Sequence, residues 1–489
     1  MSDDRGDRTD PIEAMDVLLG RFEADEKVAY AEVCGVSQNR TDLVVTDEGP
    51  RDTVSFMERG IWCRVFVDGA GDYRYTTSLD DESLDDVAER AIRAADVLAQ
   101  DEPARFDAHS THRGVHGGWA REGVDAVDPE TKTAVVEEGL SAADDLDLRQ
   151  VWINYADAHI ESTLGTTTGS TLRTTLDRAS ATCILTPEEG PKVSRHAGST
   201  RGAAFLDNLP EALEDAAADV RALAAASEAD APTGEASVLL SPRAAGQLIQ
   251  FVSRYVEADT AHMELSPYSV GDRIGPEALT IEDGVRAGSW TARAYDAEAR
   301  PTTPVGLIEN GRVARLLHNT ASAADAETYP AGNAIPSLGF DQPPRIHARH
   351  LAVAPGDATR AELREGADVL VERFDEPWLR DEFERIQRSG FMPASVPYAK
   401  DIGHKIGTRS DPGRAGLPIA EGYSLVDGER AGRVEGVSLA YDPATLREIT
   451  AIGAARSTVT GITEKHKSWL PYAVTAPAIR LRVTLRPTE

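Results

Sequence analysis

Apolar residues fall at helical spacing in several stretches of the chain, with strand-like runs between them. Ile12, Met15, Leu19 and Phe22 lie three or four residues apart behind Asp10-Pro11, the order of an N-cap and a first-turn proline, and they predict a helix. Residues 28–36 and 41–47 read as strands, and 53–67 as a hairpin broken near Arg59-Gly60, with a further turn at Asp68-Gly69. Leu84, Val87, Ala88, Ala91, Ile92, Ala95 and Leu98 form one apolar stripe and predict a second helix. Together these make a compact α+β unit over residues 10–100.

The character then changes. Residues 101–118 are polar, with Gly114, Gly117 and Gly118, and read as a linker. Asp128-Pro129 opens a helix to about Leu146, strands run from Gln150 to about Leu185 around the turn-forming GTTTGST, and a helix spans about 210–227. These define a middle α+β unit, 119–230, closed by the APTGE boundary at 231–235. From Ala236 to Glu489 strands and turns dominate. Ser241 is placed to cap a helix reaching about Glu257, with Pro242 in its first turn. Asn310-Gly311 is a type I′ hairpin signal. Residues 359–374 and 377–388 read as partly helical, and 479–485 as the last strand. The expected class is α+β: N-terminal α+β domains with antiparallel sheets, followed by a β-rich C-terminal domain.

Composition narrows the function. A length of 489 residues with 41% apolar content suffices for two or three domains with a large core, and no stretch reads as a membrane span. The start, MSDDRGDRTDP, has neither signal-peptide nor transit-peptide character, so a cytoplasmic location is expected. Cys34, Cys63 and Cys183 are scattered, without CxxC, and fit buried thiols in a reducing compartment. The net charge of −31, with Lys scarce, implies an acidic surface suited to high salt and argues against direct nucleic-acid binding.

Three segments carry a family resemblance: the N-terminal third with AYAEV, ERGIWCRVFVDG and SLDDESLDDVAERA; YDAEARPTTPVGLIENGRVARLLHN at 295–319; and AVTAPAIRLRV at 473–483. In this order they resemble the TldD/PmbA family, known as modulators of DNA gyrase and as metallopeptidases. The resemblance implies two kinds of member. TldD-like chains carry His-Glu-x-x-x-His on a helix and a distal Cys that hold zinc, whereas PmbA-like (TldE) chains lack these and pair with the first kind. Overlaying LLSPRAAG on the ligand helix places Ser241, Pro242 and Gly246 at the His, Glu and His positions, with the distal Cys near Thr463. Zinc needs about three protein ligands at roughly 2 Å, which Ser, Pro and Gly do not supply. No His, Glu, Asp or Cys lies between Val238 and Tyr255. The expectation is a metallopeptidase-related chain inactive alone: no catalytic residue, no metal of its own, zinc in a TldD-like partner subunit, and small or unfolded peptides as substrate.

Other constellations are weaker. His109-x-x-His112-x-x-x-His116 reads as a solvated linker rather than a metal site, because its glycines disfavour a helix. His347-x-x-His350 reads as strand, where the two side chains point to opposite faces. Asp296 and Glu298 match acidic family positions and read as ordinary carboxylates of a surface turn, with cleft lining or pairing to Arg300 as the alternative. His404 is a third candidate cleft residue, with a backbone-bonded loop histidine as the plainer reading. Two rival functions stand beside the first: a free-standing metallopeptidase rebuilt around His109, His112, His116 or His404, and a non-enzymatic peptide-binding or regulatory protein.

Overall fold

The computed structural model describes residues 10–98, 111–230, 232–375 and 415–488. Helix α1 (Pro11–Ala24) starts at the expected cap, where the Asp10 carboxylate accepts the Ile12 amide at 2.8 Å. Strand β1 (Tyr30–Thr46) is continuous, where two strands were expected. It pairs along its whole length with β2 (Gly49–Val67). The expected break at Arg59-Gly60 is therefore absent, and the hairpin turn falls at Asp47-Glu48. Gly60 answers a different need, since a Cβ there would lie 2.5 Å from the Phe340 ring. Strand β3 (Ala70–Thr76) and helix α2 (Asp81–Val97) complete the first segment.

The expected linker carries a short strand, β4 (Arg113–His116). Helix α3 (Pro129–Leu140) is shorter than predicted and ends in a 3-10 turn, Ser141–Ala143. Strands β5 (Leu148–Thr166), β6 (Thr171–Pro187) and β7 (Val193–Ser199) follow, then helix α4 (Leu209–Ala225). The segments expected as two N-terminal units build one seven-stranded sheet, in the order β3-β2-β1-β5-β6, with β4 and β7 both on β6. Strand alternation gives this sheet two roles. Val33, Ile61, Cys63 and Val65 pack under α1 and α2, and Ile153, Tyr155 and Cys183 join the core under α3 and α4. The opposite face presents Cys34, Val36, Trp62, Leu164 and Leu172 to Ala297 and Ala299 of the C-terminal region.

The C-terminal region opens with β8 (Gly234–Leu240) and α5 (Pro242–Ser253). Its eleven-stranded sheet is spanned by the hairpin of Ile449–Lys465 and Ser468–Pro487. The last strand is thus far longer than the predicted 479–485, because it pairs with its hairpin partner, with β8 and with His350–Val353. Asn310 and Gly311 adopt φ of 49° and 73°, as the hairpin signal requires. Residues 359–374 divide into helix Arg360–Arg364 and strand Val369–Phe374. The predicted helix at 377–388 lies outside the described residues. The α+β class, with antiparallel sheets and a β-rich C-terminal region, is borne out. Among the described residues no helix is long and apolar enough to cross a membrane.

Gly35, in mid-β1, is where α1 meets the sheet most closely: a Cβ there would collide with the Pro11 carbonyl. Gly35→Val is expected to cost about 1–3 kcal/mol through overpacking, read as a lower midpoint in denaturant unfolding at unchanged slope.

Candidate functional site

Helix α5 begins as the sequence predicts. The Ser241 hydroxyl accepts the Ala244 amide at 3.2 Å and donates to the Glu372 carbonyl at 3.0 Å, while Pro242 fills the first turn. Gly246 faces the long hairpin, and a Cβ there would lie 2.6 Å from Val459 Cγ1. Ser241, Pro242 and Gly246 thus hold structural roles: cap, first turn and close approach. The described helix ends at Ser253, with a 3-10 turn at Arg254–Val256.

Thr463, on the hairpin strand Ile449–Lys465, meets the turn that follows this helix. Its hydroxyl accepts from Arg254 Nη2 at 2.6 Å, and the same nitrogen donates to the Glu464 carbonyl at 2.9 Å. One turn earlier, the Gln250 side chain is 8% exposed, and its amide meets no hydrogen-bond partner among the described residues.

Directly after Arg254 stands a buried ionic cluster that sequence reading missed. Lys465 Nζ donates to Glu257 Oε2 at 2.6 Å, to Asp259 Oδ1 at 2.8 Å and to the Ile346 carbonyl at 2.7 Å. His347 Nδ1 lies 2.8 Å from Glu257 Oε1. Glu257, His347 and Lys465 are all fully buried. Burial opposes the Glu257 charge, but Lys465 and His347 outweigh it and hold the carboxyl near 2. Burial keeps His347 below its usual range. His350 turns instead to the Thr475 hydroxyl at 2.8 Å, so the two histidines share no site. Lys465 follows Thr463 by two positions on one strand, a period-2 signal that places both on one face.

Asp296 and Glu298 correct the expectation of an ordinary surface turn: each is only 4% exposed. Asp296 accepts three backbone amides, from Glu298 and Arg300 at 2.9 Å and Ala334 at 3.0 Å, and so organises the loop. Burial and the Glu298 charge push its carboxyl up to about 8, against the pull of those amides. Neither carboxylate pairs with the Arg300 guanidinium, which turns to the Thr320 hydroxyl at 3.2 Å. Glu298 instead binds Arg64 at 2.5 Å and the Thr320 amide at 2.6 Å, and Arg64 also holds Glu32 at 2.9 Å. Burial lifts the Glu32 carboxyl to about 7. This chain ties the β1–β2 hairpin to the C-terminal region.

Beside it lies a cleft of about 110 Å³ between the sheet and residues 293–297 and 336–344. Asp296 lines it, with aromatic walls from Trp62, Tyr73, Trp119 and Phe340. His116 lines it too, with its ring 4.8 Å from Trp119, so it is not simply part of a solvated linker. The alternation of β6 delivers Leu172, Thr174, Leu176 and Arg178 to this wall. His109 and His404 lie outside the described residues.

Residues 31–95 match the PmbA/TldA metallopeptidase domain 1, and residues 233–376 the PmbA/TldA metallopeptidase C-terminal domain. The chain belongs to the TldD/PmbA family. A metalloprotease of Methanothermobacter thermautotrophicus is 22% identical over 471 residues, covering 94% of this chain and 96% of that protein. A metalloprotease of Synechocystis sp. is 26% identical over 235 residues, 46% of this chain and 50% of that one. Two solved structures share the TldD/PmbA fold. A candidate modulator of DNA gyrase from Bacteroides thetaiotaomicron superposes with a TM-score of 0.70 at 16% identity, over 97% of this chain and 98% of that one. TldE from Thermococcus kodakarensis gives 0.69 at 14% identity, over 96% and 99%.

The zinc of TldD-like members can be tested against these side chains. Ser241 is committed to its cap, Pro242 and Gly246 offer no donor, and Thr463 already accepts a guanidinium. These residues do not fit a zinc ion. Among the described residues, the group whose donor atoms lie close enough to share an ion is Asp125, His159 and Asp177. There Asp177 Oδ1 accepts the Val124 amide at 3.0 Å and lies 3.0 Å from His159 Nδ1, which fixes the turn at Val124–Ala126.

Lys465→Met leaves Glu257 buried without its main counter-charge and is expected to cost about 3–5 kcal/mol at pH 7. Glu257 sits below its unfolded value, so its contribution is complete above about pH 4.5 and is lost as pH falls toward 2. Unfolding measured across that window is expected to show a shallower acid loss in the variant than in the parent.

Proposed function

We propose that this chain is the non-catalytic, TldE-like subunit of a TldD–TldE-type complex, in which a TldD-like partner supplies the zinc and the hydrolysis. The contact between Arg254 and Thr463 carries this reading. If a distal ligand belongs at Thr463, the side chain that meets it is Arg254, in the 3-10 turn that follows α5, and it is no metal ligand. A guanidinium in a ligand position repels a divalent cation, and Arg keeps its charge at any working pH. Glu257 and His347, the nearest donors of the right type, are engaged with Lys465 and with each other.

The chain retains a cleft with aromatic walls, which supports handling of peptides with apolar side chains. The net charge of −31 supports peptide over nucleic acid as the bound species, and the paucity of cysteines accords with a cytoplasmic setting.

Co-expression with a TldD-like homologue bearing His-Glu-x-x-x-His is expected to yield a mixed complex on native purification, with chelator-sensitive peptide hydrolysis that the chain alone lacks. A stable homo-oligomer that excludes that homologue, or chelator-sensitive cleavage by the isolated chain, would contradict the proposal.

A further inference from the structure

Two arginines in the cleft have no ion-pair partner among the described residues, although the Asp296 carboxylate lies near enough to support the Arg293 charge. Arg178 is 6% exposed, and its Nε and Nη2 are buried without an acceptor among the described residues. Its guanidinium lies 5.2 Å from the Trp290 ring centroid, a contact that steers the group without satisfying its N–H donors. Arg293 lines the same cleft, and its Nε is likewise buried without an acceptor. Burial weakens both charges; the Arg293 charge weakens that of Arg178 further, while Asp296 partly supports that of Arg293.

Four other buried cations here are held by carboxylates. Arg64 is held by Glu32 and Glu298, Arg349 by Asp283, Lys132 by Asp157, and Lys465 by Glu257 and Asp259. A chain with 82 acidic residues has carboxylates to spare, yet none pairs with Arg178 or Arg293 among the described residues. An unpaired buried charge costs stability. The cost is recovered when a ligand brings an oxyanion to the two guanidinium groups.

The walls indicate what the oxyanion is attached to. Trp62 and Tyr73 stack with centroids 5.8 Å apart, and Leu164 and Leu172 add to the apolar lining. Small, strongly hydrated inorganic ions gain nothing from such walls, whereas an apolar body carrying one carboxylate gains from both.

We propose that this cleft binds the carboxylate of a short apolar peptide, with Arg178 and Arg293 as the carboxylate receptor and the Trp62–Tyr73 wall holding the adjoining side chain. The inference rests on the peptide-handling reading above and assigns its substrate class. It needs no partner subunit, so its failure is separable from failure of the complex.

Binding of N-acetyl-Leu-Phe, as the free acid and as the C-terminal amide, is measured by calorimetry on the full purified chain. The free acid is expected to bind, and the amide, Arg178→Gln and Arg293→Gln are each expected to weaken binding by about tenfold to a hundredfold. Arg178→Met is expected to abolish binding while leaving thermal stability unchanged or higher, because it removes an uncompensated buried charge. Equal binding of acid and amide, no binding of either, or inorganic phosphate binding as tightly as the acid would each overturn the assignment. So would a marked loss of stability in Arg178→Met, which would make the arginine a structural cation.

Discussion

The structure depends most heavily on one buried ammonium. Lys465 Nζ draws together the segment after α5 through Glu257 and Asp259, and the approach to strand His350–Val353 through the Ile346 carbonyl. It does so from the end of the long hairpin strand Ile449–Lys465. A charge with no exposure must have its donors satisfied and its counter-ions in place, so these separated segments can meet in only one arrangement. Arg254, with its bonds to Thr463 and the Glu464 carbonyl, extends the constraint back onto the helix.

The shared seven-stranded sheet is the second constraint. Because β1, β2, β5 and β6 are long and fully paired, alternation divides the sheet into a helix-covered face and a cleft face without further instruction. The Glu32–Arg64–Glu298 chain then fixes the C-terminal loop over the second face. Asp296 shapes that loop through backbone amides, and the cleft opens beside it. Arg178 and Arg293, without an ion-pair partner among the described residues, line this cleft.

The legible part of the sequence was local. The Asp10 and Ser241 caps, the α2 stripe and the Asn310-Gly311 turn are short-range signals, and each sits where the residues place it. Strand continuity was not legible. Arg59-Gly60 resembles a turn in sequence, but its glycine makes room for Phe340, a partner far along the chain. For the same reason Asp296 and Glu298 read as surface carboxylates: their partners Arg64, Thr320 and Ala334 are distant in sequence. Lys465 and Arg254 gave no motif at all, since a buried ion cluster is assembled only by the fold.

The most direct test is a zinc titration of the purified chain, followed calorimetrically and by metal content. With Arg254 and Lys465 as fixed internal cations, the chain is expected to hold well under one zinc per molecule and to show no saturable binding. One tightly held zinc per chain, lost on substituting Glu257 or His347, would contradict the account.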